Sequence, residues 1–400
     1  MKDILIITNF TSTFSFSDND RFLYLANMLK GIAEVEIVTS DFCHEKKKHR
    51  YQTEHKWPFR ITFLHETGYS RNISLQRFFS HYIWGKNVKR YLARRKKPDL
   101  IYCAVPSLSG PYQASAYCRK SGVKFIVDVQ DLWPEAFRMV FDIPVISQVL
   151  YAPFNFLVNA IYSRADEIVA VSDTYAARAL TVNKKGAKGY SVYLGTELRE
   201  FDANASMDSG LQKNENEIWL GYCGTLGRSY DIPCVIKALS IIKDAGITVP
   251  EFIIMGDGPE KESFEAYAAS LDVPARFLGR IPYDRVCAIL RQCDILVNPI
   301  VKGSAGSIIN KHADYAASGR AVLNTQESSE YRALVEQYQM GFNCRCEDPR
   351  DLSKRLMELL ADIELRERMG RNARDCAEKC FDRKKTYLQI QNLIENISES

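Results

Sequence analysis

The chain lacks the marks of several common protein classes. Its 400 residues include eleven cysteines but no C-x-x-C pair; Cys344-x-Cys346 and Cys376-x3-Cys380 come nearest. Scattered thiols without a framework exclude a disulfide-stapled fold and read as reduced side chains in a cytosol. No export signal is visible, since Lys2 and Asp3 precede only the short apolar run Ile4 to Ile7. No apolar stretch approaches the roughly 20 residues a bilayer span requires. There is no Ser-His-Asp arrangement and no metal-ligand spacing, so no metal is expected. Asp18-Asn19-Asp20 looks like a metal-binding D-x-D but reads better as a helix N-cap. The loop Gly221–Arg228 lacks the tight Gly-x-Gly opening of a dinucleotide fingerprint, and no acid is placed for an NAD ribose, which argues against an oxidoreductase.

What is present begins with charge. The net charge of +4 is unevenly spread: between Ser40 and Leu100 fifteen Lys and Arg stand against five acids, a local excess of +10. Phe78, Phe79, Tyr82, Trp84 and Tyr91 interleave with it. Such a segment suits an anionic lipid surface or nucleic acid. A solvated helix face over a core stripe accounts for the aromatics equally well.

Short apolar runs alternate with helical patterns. Ile4–Asn9, Val35–Val38, Arg60–Leu64, Asp99–Cys103, Lys124–Asp128 and Glu167–Val171 read as strands of a first domain. A polar, acidic stretch from Phe201 to Glu217 reads as a linker, after which the pattern restarts at Ile218–Tyr222. Alternation at this spacing predicts two doubly wound α/β domains with parallel sheets, at 1–205 and 206–380, and a C-terminal helix over 381–400 that could pack back on the first domain. Ligands of such sheets bind beyond the strand C-termini.

In the second domain, glycine turns close successive strands: Gly221-Tyr-Cys-Gly224-Thr225-Leu-Gly227-Arg228, then Met255-Gly-Asp257-Gly258-Pro-Glu260, then Phe277-Leu-Gly-Arg280-Ile281-Pro282. A further small-residue loop, Gly303-Ser-Ala-Gly306-Ser307, follows the apolar run Ile295–Val301 and feeds a helix closed by Gly319. A loop of this kind at a helix N-terminus is a ready anion site. Ser307, Lys311 and Asp314 fall at i, i+4 and i+7, on one face of that helix. The face offers a hydroxyl, an ammonium and a carboxylate, a set able to hold a nucleoside diphosphate. The plain alternative is a surface helix with a Lys–Asp pair.

Taken in order, Gly224-x-Leu-Gly-Arg228, Met255–Glu260, Phe277–Arg280, Asp294–Pro299 and Asn310-Lys-x-x-Asp-Tyr-Ala-Ala-Ser-Gly319 resemble family 4 of the retaining glycosyltransferases. The resemblance extends to Asp128-Val-Gln-Asp131-Leu-Trp-Pro-Glu135 and Ala165–Ser172 in the first domain and is nearest the branch that builds capsule, exopolysaccharide and O-antigen (lipopolysaccharide) chains. It implies the GT-B fold, two Rossmann-like domains facing across a cleft, with an acceptor-binding first domain and a donor-binding second one. It implies that Asp314, at the second acid of the family's E-x7-E motif, binds the donor ribose. Lys311 and Arg228 would neutralise the diphosphate. Gly224 and Thr225 would lie against the donor, and Asp257, Gly258, Arg280 and Ile281 would enclose the base. Gly306 stands where the family has its first Glu, and Gln130 or Asp131 where many relatives have a histidine.

The resemblance implies a hexosyltransferase-type, retaining, metal-independent reaction without a protein nucleophile. A UDP- or GDP-linked sugar would pass to a lipid-linked or glycan acceptor, with Asp131 or Glu135 positioning that acceptor. A lipid-linked acceptor makes the basic segment an anionic-membrane face rather than a nucleic-acid one, and the protein cytoplasmic and peripheral to the inner face. Two other readings stay open: a non-catalytic partner that keeps the fold and nucleotide or glycan binding, favoured by the missing first Glu, and a sugar-nucleotide epimerase.

Overall fold

A computed structural model of the protein describes residues 1–11, 20–50, 56–139, 143, 146–304 and 307–397. They form two units: Met1–Tyr193 with Tyr387–Ser400, and Leu194–Thr386.

In the first unit, strands β1 (Lys2–Ile7), β2 (Ala33–Ser40), β3 (Arg60–Leu64), β4 (Leu100–Val105), β5 (Lys124–Val129), β6 (Glu167–Ala170) and β7 (Gly189–Ser191) make one parallel sheet in the order β3-β2-β1-β4-β5-β6-β7. Ile4 pairs with Val35 on one side and Leu100 on the other. Ile4, Leu5, Ile6 and Ile7 are all buried, as a strand covered on both faces requires. The helices are α1 (Arg21–Leu29), α2 (Leu75–Arg94), α3 (Ser109–Ser121), α4 (Ile146–Tyr162) and α5 (Asp173–Leu180).

Asp20 starts α1 by accepting from the amides of Phe22 and Leu23 at 2.8 and 3.1 Å. It therefore acts as the expected N-cap; Asp18 lies outside the described residues. Helix α1 buries Phe22, Leu23, Leu25, Ala26 and Leu29 in the same cluster as Tyr387, Ile390, Leu393, Ile394 and Ile397 of the C-terminal segment. A buried ion pair ties these parts together. Arg21 donates to Asp128 from Nε at 2.8 Å, to the Val192 carbonyl and to Tyr387 Oη, while Tyr102 Oη also donates to Asp128. Full pairing is what makes a buried guanidinium tolerable.

The basic segment is only partly a surface. The Arg95 side chain is largely covered and donates to Asp3 and Glu36, and Arg60 also pairs with Glu36. Trp84 is fully buried, and a Cβ on Gly110 of α3 would sit 1.9 Å from its ring. Arg94, Lys96 and Lys97 remain exposed, as do Phe79 and Tyr82. The core-stripe alternative accounts for Trp84, and part of the segment's charge serves the edge of the sheet.

The second unit opens with α6 (Leu198–Ala205), so the stretch expected as a linker is structured. Phe201 is fully buried, Asp202 binds Arg374 and Arg291, and Lys213 Nζ donates to Asp294 at 2.6 Å. These anchors place the division at 193/194 rather than at 205/206. Strands β8 (Trp219–Cys223), β9 (Glu251–Met255), β10 (Ala275–Phe277), β11 (Ile295–Asn298), β12 (Ala321–Asn324) and β13 (Gly341–Asn343) form a parallel sheet ordered β10-β9-β8-β11-β12-β13. The helices that bear on the site are α7 (Ile232–Asp244), α8 (Lys261–Ser270), α9 (Tyr283–Gln292) and α10 (Asn310–Ser318). The sequence order reverses beside β8, between β9 and β11, where an open α/β sheet leaves a crevice at its C-terminal edge.

Among the described residues no helix is long and apolar enough to cross a membrane.

Candidate functional site

The glycine turns of the second unit bring loops together at the C-terminal ends of β8, β9 and β10. The Gly224 amide donates to the Met255 carbonyl at 2.9 Å, that of Leu226 to Asp257 at 3.0 Å, and that of Gly256 to Gly279 at 2.9 Å. A Cβ on Gly256 would lie 1.8 Å from the Gly224 carbonyl oxygen, and one on Gly258 2.2 Å from that of Leu226. Two of these glycines are thus explained by loop-on-loop contact rather than by a ligand. At Gly224 the crowding is different: φ is +149° and a Cβ would lie 2.7 Å from Lys311 Nζ.

Helix α10 begins at Asn310, so Ser307 precedes it and does not share its face as expected. Ser307 is buried, its carbonyl accepts from Gln326 Nε2 at 2.7 Å, and its Oγ has no partner. Gly306 lies outside the described residues. Gly319 closes the helix in the left-handed conformation, as its sequence position suggested. Tyr315 Oη pins α10 to the sheet, accepting from the Cys223 amide at 2.9 Å and donating to the Val297 carbonyl at 3.2 Å.

That anchoring sets Lys311 at the end of β8. Its ammonium lies 4.2 Å from the ring centroids of both Tyr222 and Tyr230. The nitrogen is shut from solvent and has no hydrogen-bond partner. Burial, only slightly offset by Cys223, lowers its pKa to about 7. The Lys–Asp pair considered from sequence does not form, since Asp314 faces another way: Tyr283 Oη donates to its Oδ1 at 2.8 Å and lies 3.1 Å from Thr196 Oγ1. Burial raises the Asp314 pKa to about 6 against those hydrogen bonds. None of Tyr222, Tyr230 and Tyr283 was singled out in the sequence. Aromatic side chains near strand and helix ends carry no positional signal until the fold brings them to one lysine.

The other donor-side positions expected from the resemblance lie at or near the surface of the second unit. Arg228 is 92% exposed and sits 3.2 Å from Glu260. Thr225 and Asp257 are exposed, the Thr225 carbonyl accepts from Tyr222 Oη at 2.8 Å, and Asp257 accepts from the Gly258 amide at 2.9 Å. Arg280 is exposed and Ile281 half-buried in the loop before α9.

In the first unit, Asp131 follows β5. It accepts from the Leu132 amide at 2.9 Å and from Trp133 Nε1 at 3.2 Å, and burial raises its pKa. Glu135 holds Arg178 at 2.6 Å, which occupies one of its oxygens. Gln130 donates to Asp128 at 2.7 Å and so belongs to the Arg21 network. The fold also brings together Asp41, His49 and His65, with ligand atoms all within 4.8 Å, a constellation that the linear spacing did not reveal. Asp41 there already accepts from His65 Nδ1 at 2.9 Å and from the Glu66 amide at 2.8 Å.

Residues 205–375 match the family described as glycosyl transferases group 1. The chain is 22% identical over 241 residues to the uncharacterized glycosyltransferase MJ1069 of Methanocaldococcus jannaschii, covering 59% of this chain and 60% of that protein. Three of the curated relatives are covered over 46 to 60% of their own length. Among solved structures, HepE (Alr3699) of Anabaena in complex with UDP is similar at TM-score 0.72 and 15% identity, over 99% of this chain and 100% of that one. WaaG, a glycosyltransferase involved in lipopolysaccharide biosynthesis, is similar at TM-score 0.67 and 14% identity, over 96% and 99%. What is shared with these structures is the GT-B fold of two Rossmann-like α/β units.

Proposed function

From the match of residues 205–375 to the group 1 glycosyl transferases, we propose that the protein transfers a sugar from a nucleoside-diphosphate sugar to a lipid-linked or glycan acceptor, with retention of anomeric configuration, in the assembly of a bacterial surface polysaccharide. The observation that carries the reading is Lys311, an ammonium held between two tyrosine faces without a counter-charge. A buried cation without a partner is costly. A diphosphate supplies the missing charge, and the small-residue loop before α10 lets it approach the helix N-terminus. HepE is described with UDP, with UDP and glucose, and with UDP-glucose, which supports the same donor class here.

In this reading Asp314, oriented by Tyr283, accepts hydrogen bonds from the ribose, and Asp257, Gly258, Arg280 and Ile281 border the base. As the glycosidic C–O bond breaks, negative charge grows on the leaving diphosphate. Lys311, Arg228 and the α10 N-terminus stabilise that charge from fixed positions, which is where such groups lower a barrier most. The acceptor hydroxyl attacks on the face the diphosphate is leaving and gives its proton to a phosphate oxygen. Asp131 positions the acceptor. No metal enters these steps, so transfer is expected to continue in excess EDTA.

A lipid-linked acceptor would bring the first unit to a membrane surface. Ile73, Leu75 and Phe79 around the start of α2 are 57% exposed or more, with Arg94, Lys96 and Lys97 at its far end. Exposed apolar side chains and cations carried by one helix and its flanks suit an anionic interface.

A thermal-shift screen of sugar nucleotides tests the donor site, because a ligand of the folded state raises Tm by mass action. Nucleoside diphosphate release that depends on both donor and acceptor tests transfer. If no UDP- or GDP-sugar shifted Tm at millimolar concentration, the reading would be abandoned.

A further inference from the structure

The first unit holds a second group of cations that form no direct ion pair among the described residues, and the donor chemistry does not use it. The side chains come from the C-terminal edge of the sheet: Phe10 after β1, His44 and Lys47 after β2, Arg77 and His81 on α2, and Trp133 after β5. The Arg77 guanidinium lies 4.7 Å from the Trp133 ring centroid and 5.6 Å from that of Phe10. His81 is 4% exposed and stacks on Trp133 at 5.8 Å. Lys47 Nζ donates to Asn72 Oδ1 and lies 3.3 Å from His44 Nδ1. His44 Nδ1 is also 2.5 Å from Tyr69 Oη.

Partners within the chain are insufficient. Arg77 donates to the Asn72 carbonyl at 2.9 Å and also hydrogen-bonds Tyr69, while its Nε is buried with no partner. His81 Nε2 is likewise buried without a hydrogen bond. Its nearest carboxylate, Glu66, stands 3.8 Å away and accepts instead from Ser80 Oγ and Asn9 Nδ2, both at 2.8 Å. Among the described residues neither Lys47 nor Arg77 lies within 4.0 Å of a carboxylate. The field of the two cations adds to burial in holding His44 at about 4 and His81 at about 3. Two half-buried cations and two neutral imidazoles against aromatic walls form a donor-rich set whose nearby carboxylates, Glu66 and Asp131, act on Arg77 only through space. An outside anion resolves this: the guanidinium fork and the ammonium provide charge-assisted hydrogen bonds, and the ring faces suit the apolar side of a pyranose.

We propose that Arg77 and Lys47, backed by His44 and His81, form an anion subsite that holds a phosphate or carboxylate group borne by the acceptor. That the anion belongs to the acceptor rests on the glycosyltransferase reading; the subsite itself does not.

The full-length protein would be titrated with glucose 1-phosphate, glucuronate and glucose, following the histidine C–H resonances by NMR, with His44 and His81 assigned from His44→Gln and His81→Gln. Repeating the titration in Lys311→Met separates phosphate bound in the second unit from phosphate bound here. Expected are saturable shifts of both resonances with one or both acidic probes, and at least tenfold weaker effects with glucose. Preference for glucose 1-phosphate would mark a phosphorylated acceptor, and preference for glucuronate an acidic sugar. Arg77→Gln and Lys47→Gln should each weaken the response tenfold or more, Arg77→Lys should restore part of it, and UDP affinity should be unchanged in all three. Equal response to glucose and glucose 1-phosphate, or a response that survives both substitutions, would overturn the subsite. A subsite that behaves as expected in a protein that transfers no sugar would instead overturn the transferase reading alone.

Discussion

Lys311 gives the most exposed prediction. Its pKa falls from 10.5 to about 7 because the ammonium is shut from water between Tyr222 and Tyr230. A drop of that size corresponds to a penalty on the order of 5 kcal/mol for holding the charge unpaired. The unfolded chain binds more protons than the folded one between pH 7 and 10.5. Stability must therefore rise with pH through that window, and below pH 7 the penalty is constant. Lys311→Met keeps the packing against both rings and removes the charge, so the ligand-free variant should melt higher than wild type at pH 6 to 7, with the gap closing toward pH 10. Ligand binding inverts the comparison. A diphosphate restores the ammonium, so above pH 7 binding takes up one proton and UDP affinity should fall about tenfold per pH unit, roughly 100-fold by pH 9. Working above pH 7.5 avoids the phosphate's own titration near pH 6. At pH 7 Lys311→Met should bind UDP about 10- to 150-fold more weakly, the worth of one charge-assisted hydrogen bond, and without pH dependence. Isothermal calorimetry in buffers of different ionisation enthalpy counts the protons directly. Wild-type affinity that stays flat from pH 7.5 to 9, with no proton uptake, would refute the placement of the diphosphate at Lys311.

Three further outcomes follow from other parts of the molecule. Arg21→Met should cost about 3–5 kcal/mol in urea denaturation, because it strands Asp128 in the core, and Arg21→Met with Asp128→Leu should recover much of the loss. Gly256→Ala should destabilise by at least about 2 kcal/mol, since its Cβ would meet the Gly224 carbonyl at 1.8 Å, and should weaken UDP binding by displacing the loop beneath Lys311. Reversing Arg94, Lys96 and Lys97 to Glu should weaken binding to anionic vesicles by at least about 3 kcal/mol, near 1 kcal/mol per charge, as read by co-sedimentation. Arg95 is left intact there because it serves Asp3 and Glu36.

Sequence alone carried the architecture, because a parallel α/β sheet writes itself as short apolar runs separated by helices, and both sheets appear where those runs lie. It also carried the helix at Asn310–Ser318, whose C-terminal Gly319 is a local signal. It misjudged elements whose role depends on distant partners. Phe201–Glu217 looked like a linker because its acids are polar; Asp202 is in fact the partner of Arg374 and Arg291, far along the chain. The basic segment looked like one surface, yet Arg95 and Trp84 are interior, since charge and aromaticity do not say which face of a helix is covered. Lys311 and Asp314 were legible as candidates, but their environments were not. That the lysine sits unpaired between Tyr222 and Tyr230, and the aspartate against Tyr283, follows from packing α10 and α9 beside the end of β8. Likewise Arg77, Lys47 and His81 become a group only when α2 and the segment after β2 meet at one sheet edge. Patterning fixes which residues form an element. Which charges lose their water, and which are left without a partner, is decided by tertiary packing, because desolvation depends on everything that surrounds a group rather than on its neighbours in sequence.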